Sequence, residues 1–218
     1  MRRMHTLAIH LAVTITILGL DLWSKAAIFR FLEAEIIQRP GETPLLRSGA
    51  EHVLFPGFAL EAAINLGAFN GMLANMRWLL LAISVIAAIG TLVVALFPKK
   101  MPWGITLALG MIAGGAIGNF YDRVQFGAVR DFVKWYVGDH VWPNFNVADS
   151  GIVVGVTIIL IAEVQNARRE KRALRAAAAA QTGAGAPEAA GSGGEESTPQ
   201  SPERAGDSPT SPPSAPTP

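Results

Sequence analysis

The segment from Trp78 to Phe97 constrains the fold of this chain more than any other feature. Its twenty residues, WLLLAISVIAAIGTLVVALF, include no charged side chain, and the nearest flanking charges are Arg77 and Lys99. A helix needs about 20 apolar residues to cross a hydrocarbon core roughly 30 Å thick. Inside that core the backbone must hydrogen-bond to itself, and a helix does this within one segment. We therefore expect a transmembrane helix here.

Three further segments approach the same length, and 50% of all residues are hydrophobic while only 16% are charged. The apolar stretch after Arg2 and Arg3 resembles a cleavable signal peptide, but no small-residue cleavage site follows it, so we interpret it as a retained helix. The predicted fold class is a mostly α, polytopic membrane protein. Its four transmembrane helices are predicted at about residues 4–32, 78–97, 102–119 and 146–162.

The lysines and arginines predict how these helices cross the membrane. Basic residues in short flanking segments tend to stay cytoplasmic. Those that a four-helix arrangement brings to one side are Arg2, Arg3, Lys99, Lys100, Arg168, Arg169, Lys171, Arg172 and Arg175. Both termini are then cytoplasmic, and the segments 33–76 and 120–145 face outward. Extended patterns at 52–58, 59–64 and 129–137 predict a small extracytoplasmic β-sheet.

The composition divides the chain into two parts. Residues 1–167 form the predicted membrane domain, and residues 168–218 begin with a basic flank and continue as an Ala/Pro/Gly/Ser-rich segment. Such a segment buries too little apolar surface to offset its ordering entropy, so a disordered cytoplasmic tail is predicted. The net charge of +1 says little about partners, because the charges are segregated along the chain, and no nucleic-acid partner is expected.

Polar residues concentrate at the predicted outer helix ends, where each calls for a functional hypothesis. They are Asp21, Lys25, Asn65, Asn119, Asp122, Arg123, Asp131, Asn146 and Asp149. Structural alternatives exist for several of them. Asp21 and Lys25 are spaced as an i, i+4 helix pair, worth only about 0.2–0.5 kcal/mol, and a structural role is expected. Asn146 and Asp149 match a helix N-cap and its first-turn acid, while Asp122 beside Arg123 could form a simple ion pair.

Several kinds of chemistry fit the sequence poorly. The chain has no cysteine, which excludes thiolate chemistry, and no HExxH motif, so neither a metal nor another cofactor is expected. Ser24 and Lys25 are adjacent on a helix and point about 100° apart, so they cannot share a proton directly. The remaining catalytic mechanism is one in which two carboxylates share one proton. Asp131 and Asp149 are the natural pair.

Four sequence blocks resemble a known family, the bacterial lipoprotein signal peptidases. They are GGAIGNFYDRVQFGAVRDFV (114–133), FNVADSGI (145–152), DLWSK (21–25) and NLGAF (65–69), within a match over about residues 6–165. The resemblance implies an aspartic endopeptidase of the bacterial inner membrane with its site facing outward. It would cleave prolipoproteins just before a diacylglyceryl-modified cysteine, in contact with membrane lipids, and we expect a monomer.

The same resemblance assigns roles to individual residues. It makes Asp131 and Asp149 the catalytic pair and leaves Asp122 in a supporting role. Residues that would bind substrate or orient the pair are Asn65, Gly67, Asn119, Arg123 and Asn146, and the structural polar pair is Asp21 and Lys25. This chain departs from the family pattern by a long insertion, IIQRPGETPLLRSGAEHV, at residues 36–53.

Two other classes of protein remain open on the residues alone. A small transporter also places carboxylates and asparagines among helices, although it would hold them near the bilayer midplane and often shows internal repeats. An assembly protein would not need two aspartates that converge at helix ends. Gly110, Gly114 and Gly118 recur every four residues, which favours close helix packing over a phosphate-binding loop.

Overall fold

The computed structural model describes residues 2–47, 51–67, 73, 76–97 and 101–183. Within them, four helices are long and apolar enough to cross a membrane. They are α1 (Arg2–Phe31), α2 (Arg77–Leu96), α3 (Trp103–Phe126) and α4 (Val147–Gly183). The predicted fold class, a mostly helical membrane protein with a small sheet, is confirmed. Lys99 and Lys100, on which the topology prediction partly rests, lie outside the described residues.

Helix α3 is longer than predicted, because it continues past residue 119 to Phe126. It ends at Gly127, which has a φ of 75° and donates its N–H to the Arg123 carbonyl. A glycine in this left-handed conformation is a common helix stop. Asp122 and Arg123 are therefore helical residues, whereas the sequence predicted them in an outer segment. Their side chains consequently have the fixed directions that a helix imposes.

The glycines of α3 bring α1 against it, as their spacing predicted. A Cβ atom at Gly110 would lie 2.8 Å from the Val13 Cβ, and one at Gly114 would lie 2.7 Å from the Thr14 carbonyl oxygen. At Gly118 the added atom would meet the Asp21 carboxylate. Only a residue without a side chain allows these approaches. The glycines thus decide which face of α1 meets α3.

A four-stranded antiparallel sheet has the order β3-β4-β5-β6, with β3 at His52–Phe55, β4 at Phe58–Asn65, β5 at Val129–Val137 and β6 at His140–Phe145. The three extended patterns predicted from the sequence are β3, β4 and β5. Strand β6 was missed, because it contains Pro143 and two polar residues, His140 and Asn144, and lacks alternation. The turn from β6 leads directly into α4, and β5 follows α3 after two residues. The sheet therefore lies where α3 ends and α4 begins.

The insertion in the first outer segment forms a separate hairpin. Its strands β1 (Glu35–Ile37) and β2 (Leu45–Arg47) pair antiparallel. Ile36 and Leu46 pack against a buried cluster formed by Phe29, Leu32, Ala62 and Phe132. This cluster joins the end of α1 to the sheet. The inserted residues thus add to the buried cluster at the end of α1.

The end of α4 differs from the prediction, which stopped the helix at about residue 162 and continued with a basic flank and, after Arg175, a disordered tail. Residues 168–183 continue the helix. The reason is composition, because the run from 173 to 180 is mostly alanine, the strongest helix former. The chain divides into the units Met1–Ala173 and Leu174–Pro218. Residues 184–218, the remainder of the predicted tail, lie outside the described residues.

Candidate active site

Asp131 and Asp149 come from different elements and meet through Asn146. Asp131 lies within β5, and Asp149 lies in the first turn of α4. The Asn146 side chain donates from Nδ2 to the Asp131 Oδ1 at 2.6 Å, and its Oδ1 accepts the Asp149 N–H at 2.9 Å. One fully buried asparagine thus contacts both residues. We call Asp131 and Asp149 the aspartate pair.

The capping arrangement suggested by the sequence is also present. The Asp149 Oδ2 accepts the Asn146 backbone N–H at 3.3 Å, while the Asn146 side chain accepts the Asp149 N–H. These reciprocal bonds form a capping box, which satisfies two backbone donors at the start of α4. Capping and chemistry do not exclude each other here. The box holds the Asp149 carboxylate at the helix N-terminus, where a negative charge is favoured.

Two further asparagines reach the aspartate pair. Asn119 on α3 donates from Nδ2 to the Asp149 Oδ1 at 2.8 Å. The Asn65 side chain, at the end of β4, hydrogen-bonds Asp131 and accepts the Gly67 N–H at 3.0 Å. Each aspartate therefore has amide partners from two separate elements.

Arg123 binds the backbone of Gly67, the residue whose N–H donates to the Asn65 side chain. Its guanidinium donates to the Gly67 carbonyl at 2.7 Å and to the Asn119 carbonyl at 3.4 Å. The Arg123 Nε is buried and has no partner among the described residues. Its charge acts on both members of the aspartate pair. All five residues that the resemblance linked to substrate or to the pair, namely Asn65, Gly67, Asn119, Arg123 and Asn146, thus lie around it.

Asp131 is an unusual acid. Its side chain is almost fully buried, at 2% exposure. Burial first, and the nearby Asp149 charge second, raise the pKa of Asp131 to about 8 from the ordinary 3.8. The amides of Asn146 and Asn65 and the charge of Lys25 oppose that rise. The raised pKa favours the protonated form of the Asp131 carboxyl group, as expected when two carboxylates lie close together.

Asp122 lies close in sequence but has different partners. Its two oxygens accept from the Arg130 guanidinium, with the shortest contact 2.8 Å, and from the Arg130 backbone N–H at 3.0 Å. Lys25 lies 3.2 Å from the Asp122 Oδ2. Bidentate binding by arginine leaves this carboxylate little capacity to activate a water. The structure thus separates Asp122 from the aspartate pair.

Asp21 and Lys25 on α1 form the expected pair, with 2.7 Å between the Lys25 Nζ and the Asp21 Oδ2. Both side chains are fully buried, whereas the spacing alone suggested an ordinary helix pair. Asp21 also accepts the Ala148 N–H of α4 at 2.9 Å. We call Asp21, Lys25, Asp122 and Arg130 the ion cluster. It contains two acids and two bases, so its charges balance.

Sequence reasoning missed Arg130 as a member of this cluster. Its guanidinium also stacks over the Phe126 ring, with 4.4 Å between the guanidinium carbon and the ring centroid. A possible signal was its position beside Asp131 in a strand, where neighbours point to opposite faces. The Asp131 side chain thus lies on one face of β5, and the Arg130 side chain lies on the other face, where it binds Asp122 of the ion cluster.

The arrangement suits hydrolysis. Asp149, half-buried at a helix N-terminus, is suited to carry the negative charge, and Asp131 is suited to hold a proton. A base beside an acid can activate a water and protonate a carbonyl oxygen in the same step. Among the described residues no group of three His, Cys, Asp or Glu side chains forms a cluster that could hold a metal ion.

Comparison with known proteins gives the family. A family model described as signal peptidase (SPase) II matches residues 13–165. A lipoprotein signal peptidase of Rhodopirellula baltica is 38% identical over 157 residues, covering 66% of this chain and 66% of that protein. One of Halalkalibacterium halodurans is 37% identical over 169 residues, covering 77% of this chain and 99% of that protein.

Two solved structures of bacterial membrane enzymes have the same fold. One aligns with a TM-score of 0.60 at 23% identity, covering 72% of this chain and 88% of its own. The other has a TM-score of 0.56 at 24% identity, covering 70% of this chain and 90% of its own. At these identities the likeness concerns the fold.

Proposed function

This chain belongs to the signal peptidase II family, whose membrane peptidases process prolipoproteins, and we propose that Asp131 and Asp149 are its catalytic pair. The observation that carries this proposal is the contact of Asn146 with both aspartates, in a site where Asp131 is almost fully buried. The substrate is a prolipoprotein, and the scissile bond precedes its diacylglyceryl-modified cysteine.

The proposed reaction begins with a water between the two carboxyl groups. Asp149 removes a proton from the water as its oxygen attacks the scissile carbonyl, and Asp131 gives its proton to the carbonyl oxygen. The resulting tetrahedral diol has no net charge of its own. Asp149 then returns its proton to the leaving amine nitrogen, and Asp131 recovers a proton from the diol as the carbonyl re-forms. Atoms and protons balance, and the pair returns to its starting state.

Arg123, Asn65 and Gly67 have a supporting role in this proposal. The Arg123 charge balances the single negative charge of the aspartate pair. Its bond to the Gly67 carbonyl fixes the backbone after Asn65, beside Asp131. A backbone segment held in this way can align an extended peptide beside the aspartate pair. Such alignment matters because a productive complex requires the reacting atoms within about 3.5 Å of each other. Asn119 and Asn146 orient the two carboxyl groups.

We propose that this site faces outward from the cytoplasmic membrane. The end of α1, the start of α2, the end of α3 and the start of α4 share one end of the helices, since Arg77 donates to the Arg123 carbonyl and Asp21 accepts from Ala148. The basic residues 168–175 follow α4 toward the other end, which is then cytoplasmic. Reporter fusions at residues 100 and 138 should report opposite sides, and the same side for both would contradict this orientation.

We also propose that the enzyme is a monomer and that residues 176–218 are dispensable. Every residue of the site belongs to one chain, and the tail is on the opposite side of the membrane in the proposed orientation. Truncation after Arg175 should leave the cleavage rate in detergent close to that of the full chain. A folded truncated protein with a large loss of rate would contradict this assignment.

The decisive test uses the purified full chain and a synthetic prolipoprotein peptide. The peptide carries a diacylglyceryl group on its cysteine, and the matched control is the same peptide with a free cysteine. Mass spectrometry should find a product that begins with the lipidated cysteine, formed only from the modified peptide. Cleavage elsewhere, or equal cleavage of both peptides, would contradict the proposed specificity.

A further inference from the structure

Lys25 has contacts that an ordinary structural ion pair does not need. The side chain is fully buried, and its ammonium group has three N–H donors. Its nitrogen lies 2.7 Å from the Asp21 Oδ2 and 3.2 Å from the Asp122 Oδ2. The third partner is not an acid. It is the Asn119 Oδ1, at 3.2 Å.

That third contact determines the orientation of the Asn119 amide. With Oδ1 turned toward the ammonium group, Nδ2 points to the Asp149 Oδ1 and donates to it at 2.8 Å. A flipped amide would set an NH₂ group against the Lys25 ammonium, which has no lone pair, and an oxygen against the Asp149 carboxylate. Both contacts would be repulsive. Lys25 therefore excludes the amide orientation that would deprive Asp149 of its donor.

The same oxygen of Asn119 also accepts from the Asn146 Nδ2 at 3.4 Å. Asn146 in turn donates to Asp131 at 2.6 Å. A continuous set of hydrogen bonds thus leads from Lys25 through two amides to both carboxyl groups. Gly118 belongs to the same arrangement, because any side chain there would displace the Asp21 carboxylate that binds Lys25.

We propose that Lys25 is a positioning residue for the cleavage reaction, which it serves by holding the Asn119 amide in the orientation that supports Asp149. This inference rests on the proposed function, because it needs the aspartate pair as the catalytic group. It adds a second role to a residue that the sequence indicated only as half of a structural pair. Without Lys25, Asn119 can rotate, and Asp149 loses its fixed direction toward the water.

The first measurement is the steady-state cleavage of the lipidated peptide by the full chain in detergent. Lys25→Met keeps the length of the side chain and removes its donors. We expect kcat to fall roughly 10- to 100-fold with little change in KM, since misplacing a reacting group affects the transition state more than substrate binding. Leu109→Ala, a buried substitution elsewhere on α3, is the control for destabilisation. It should lower the melting temperature with kcat per folded enzyme unchanged.

A double-variant cycle tests whether the effect passes through Asn119. In the Asn119→Ala background, adding Lys25→Met should lower kcat by less than about 3-fold, because the group through which Lys25 acts is already absent. Losses that simply multiply would overturn the proposal. A folded Lys25→Met protein with kcat within about 2-fold of the original would overturn it as well.

The pH profile gives a readout that a merely structural role would not change. Lys25 contacts Asp21 on its own helix and Asp122 and Asn119 on α3, and its charge acts on Asp131 of β5. The charged groups one contact further away are Arg130 and Arg123, which act on Asp122, and Asp149, which binds Asn119. Removing its positive charge disfavours a second carboxylate charge nearby. In the proposed mechanism the alkaline limb of the kcat profile reports loss of the Asp131 proton, so this limb should move to higher pH in Lys25→Met. An unchanged profile would contradict the proposal.

Lys25→Met could fail to fold, since it leaves Asp21 and Asp122 without their ammonium partner. The paired variant Asp21→Asn with Lys25→Met avoids an unpaired Asp21, while Asp122 keeps Arg130. It should show the same loss of kcat. If the paired variant also fails to fold, Lys25 has only a structural role and the proposal is wrong. Asp131→Asn and Asp149→Asn serve as parallel controls, because turnover by either would instead refute the catalytic pair.

Discussion

Asp122 and Asp131 are nine residues apart, are both buried, and belong to adjoining sites with opposite properties. Asp122 lies in the ion cluster, where two basic residues contact its oxygens. Asp131 faces another carboxylate, and its closest hydrogen-bond donor is the neutral amide of Asn146. Burial is therefore not what distinguishes the proposed catalytic carboxyl group from Asp122. The distinction is that Asp122 has two basic side chains in direct contact, whereas the side-chain hydrogen bonds of Asp131 come from neutral amides.

The ion cluster and the aspartate pair differ in how their charges are balanced. The ion cluster has two acidic and two basic residues, so its formal charges sum to zero. The aspartate pair has two acids and one nearby basic residue, Arg123. The net charge of these three residues is zero when the two acids share one proton. The ion cluster consequently links α1, α3 and β5, whereas we propose that the aspartate pair keeps an exchangeable proton. We expect the following variants to test this division.

The largest effect should come from removing either carboxylate of the aspartate pair. Asp131→Asn and Asp149→Asn should each lower kcat by about 10²–10⁴-fold or more, because general acid–base catalysis contributes at least that much. Substrate binding and fold should change little. Turnover of the lipidated peptide at excess enzyme is the measurement, with binding followed separately by competition.

A double variant sharpens this first prediction. Asp131→Asn with Asp149→Asn should be scarcely slower than either single variant, because residues that act as a unit lose their function together. Near-normal turnover by either single variant would show that the pair is wrongly assigned. Asp122 would then be the first residue to test.

Removing the carboxylate of the ion cluster should instead reduce stability. Asp122→Asn leaves Arg130 and Lys25 without a shared negative charge, and breaking a buried ion pair in this way costs about 3–5 kcal/mol. Thermal unfolding in detergent should show the loss, while kcat per folded enzyme falls far less than for Asp131→Asn. A stable Asp122→Asn protein without activity would break the comparison.

The pH dependence of stability should separate the two aspartates as well. The pKa of Asp131 is raised to about 8, so its contribution to stability is complete below its ordinary 3.8 and is lost as pH rises toward 8. The side chain of Asp131→Asn does not titrate. The variant should therefore gain melting temperature relative to the original protein between pH 4 and pH 8.

The gain should level off above pH 8, where Asp131 is ionised in both the folded and the unfolded protein. The expected span is on the order of several kcal/mol, reduced because the aspartate pair titrates together. Parallel stability curves for the two proteins from pH 4 to 8 would contradict a buried, protonated Asp131.

The smallest effect is expected at an exposed set of charges on the sheet. Lys134 contacts Glu51 at 2.9 Å and Glu61 at 3.1 Å, and these side chains are only partly buried. The Glu51 contact, which has the largest influence, raises the pKa of Lys134. Lys134→Met should change stability by less than about 1 kcal/mol, because water screens such pairs. A loss as large as that of Asp122→Asn would show that compensation matters equally at the surface.

Much of the helical framework could be predicted from the sequence. The uncharged run of α2 requires a membrane span, and the glycine spacing of α3 predicts close packing against another helix, which the structure shows to be α1. The ends were less predictable. Asp122 and Arg123 were assigned to an outer segment because apolar length was used to end α3, whereas the helix stops at the left-handed Gly127. Strand β6 has no alternation of its own and exists because β5 supplies its hydrogen bonds.

The sequence by itself determined that this chain enters a membrane and which carboxylates remain as candidates for chemistry. Hydrophobic length and the absence of cysteine depend only on composition and order along the chain. Only the tertiary structure decided how the charges are partnered. Lys25 and Asn119 are 94 residues apart in the chain, and Asp21 is 127 residues from Ala148, whose N–H it accepts at the start of α4. Since the state of a buried carboxylate depends on the charges within a few ångströms, it follows from packing between helices and could not be assigned from local sequence.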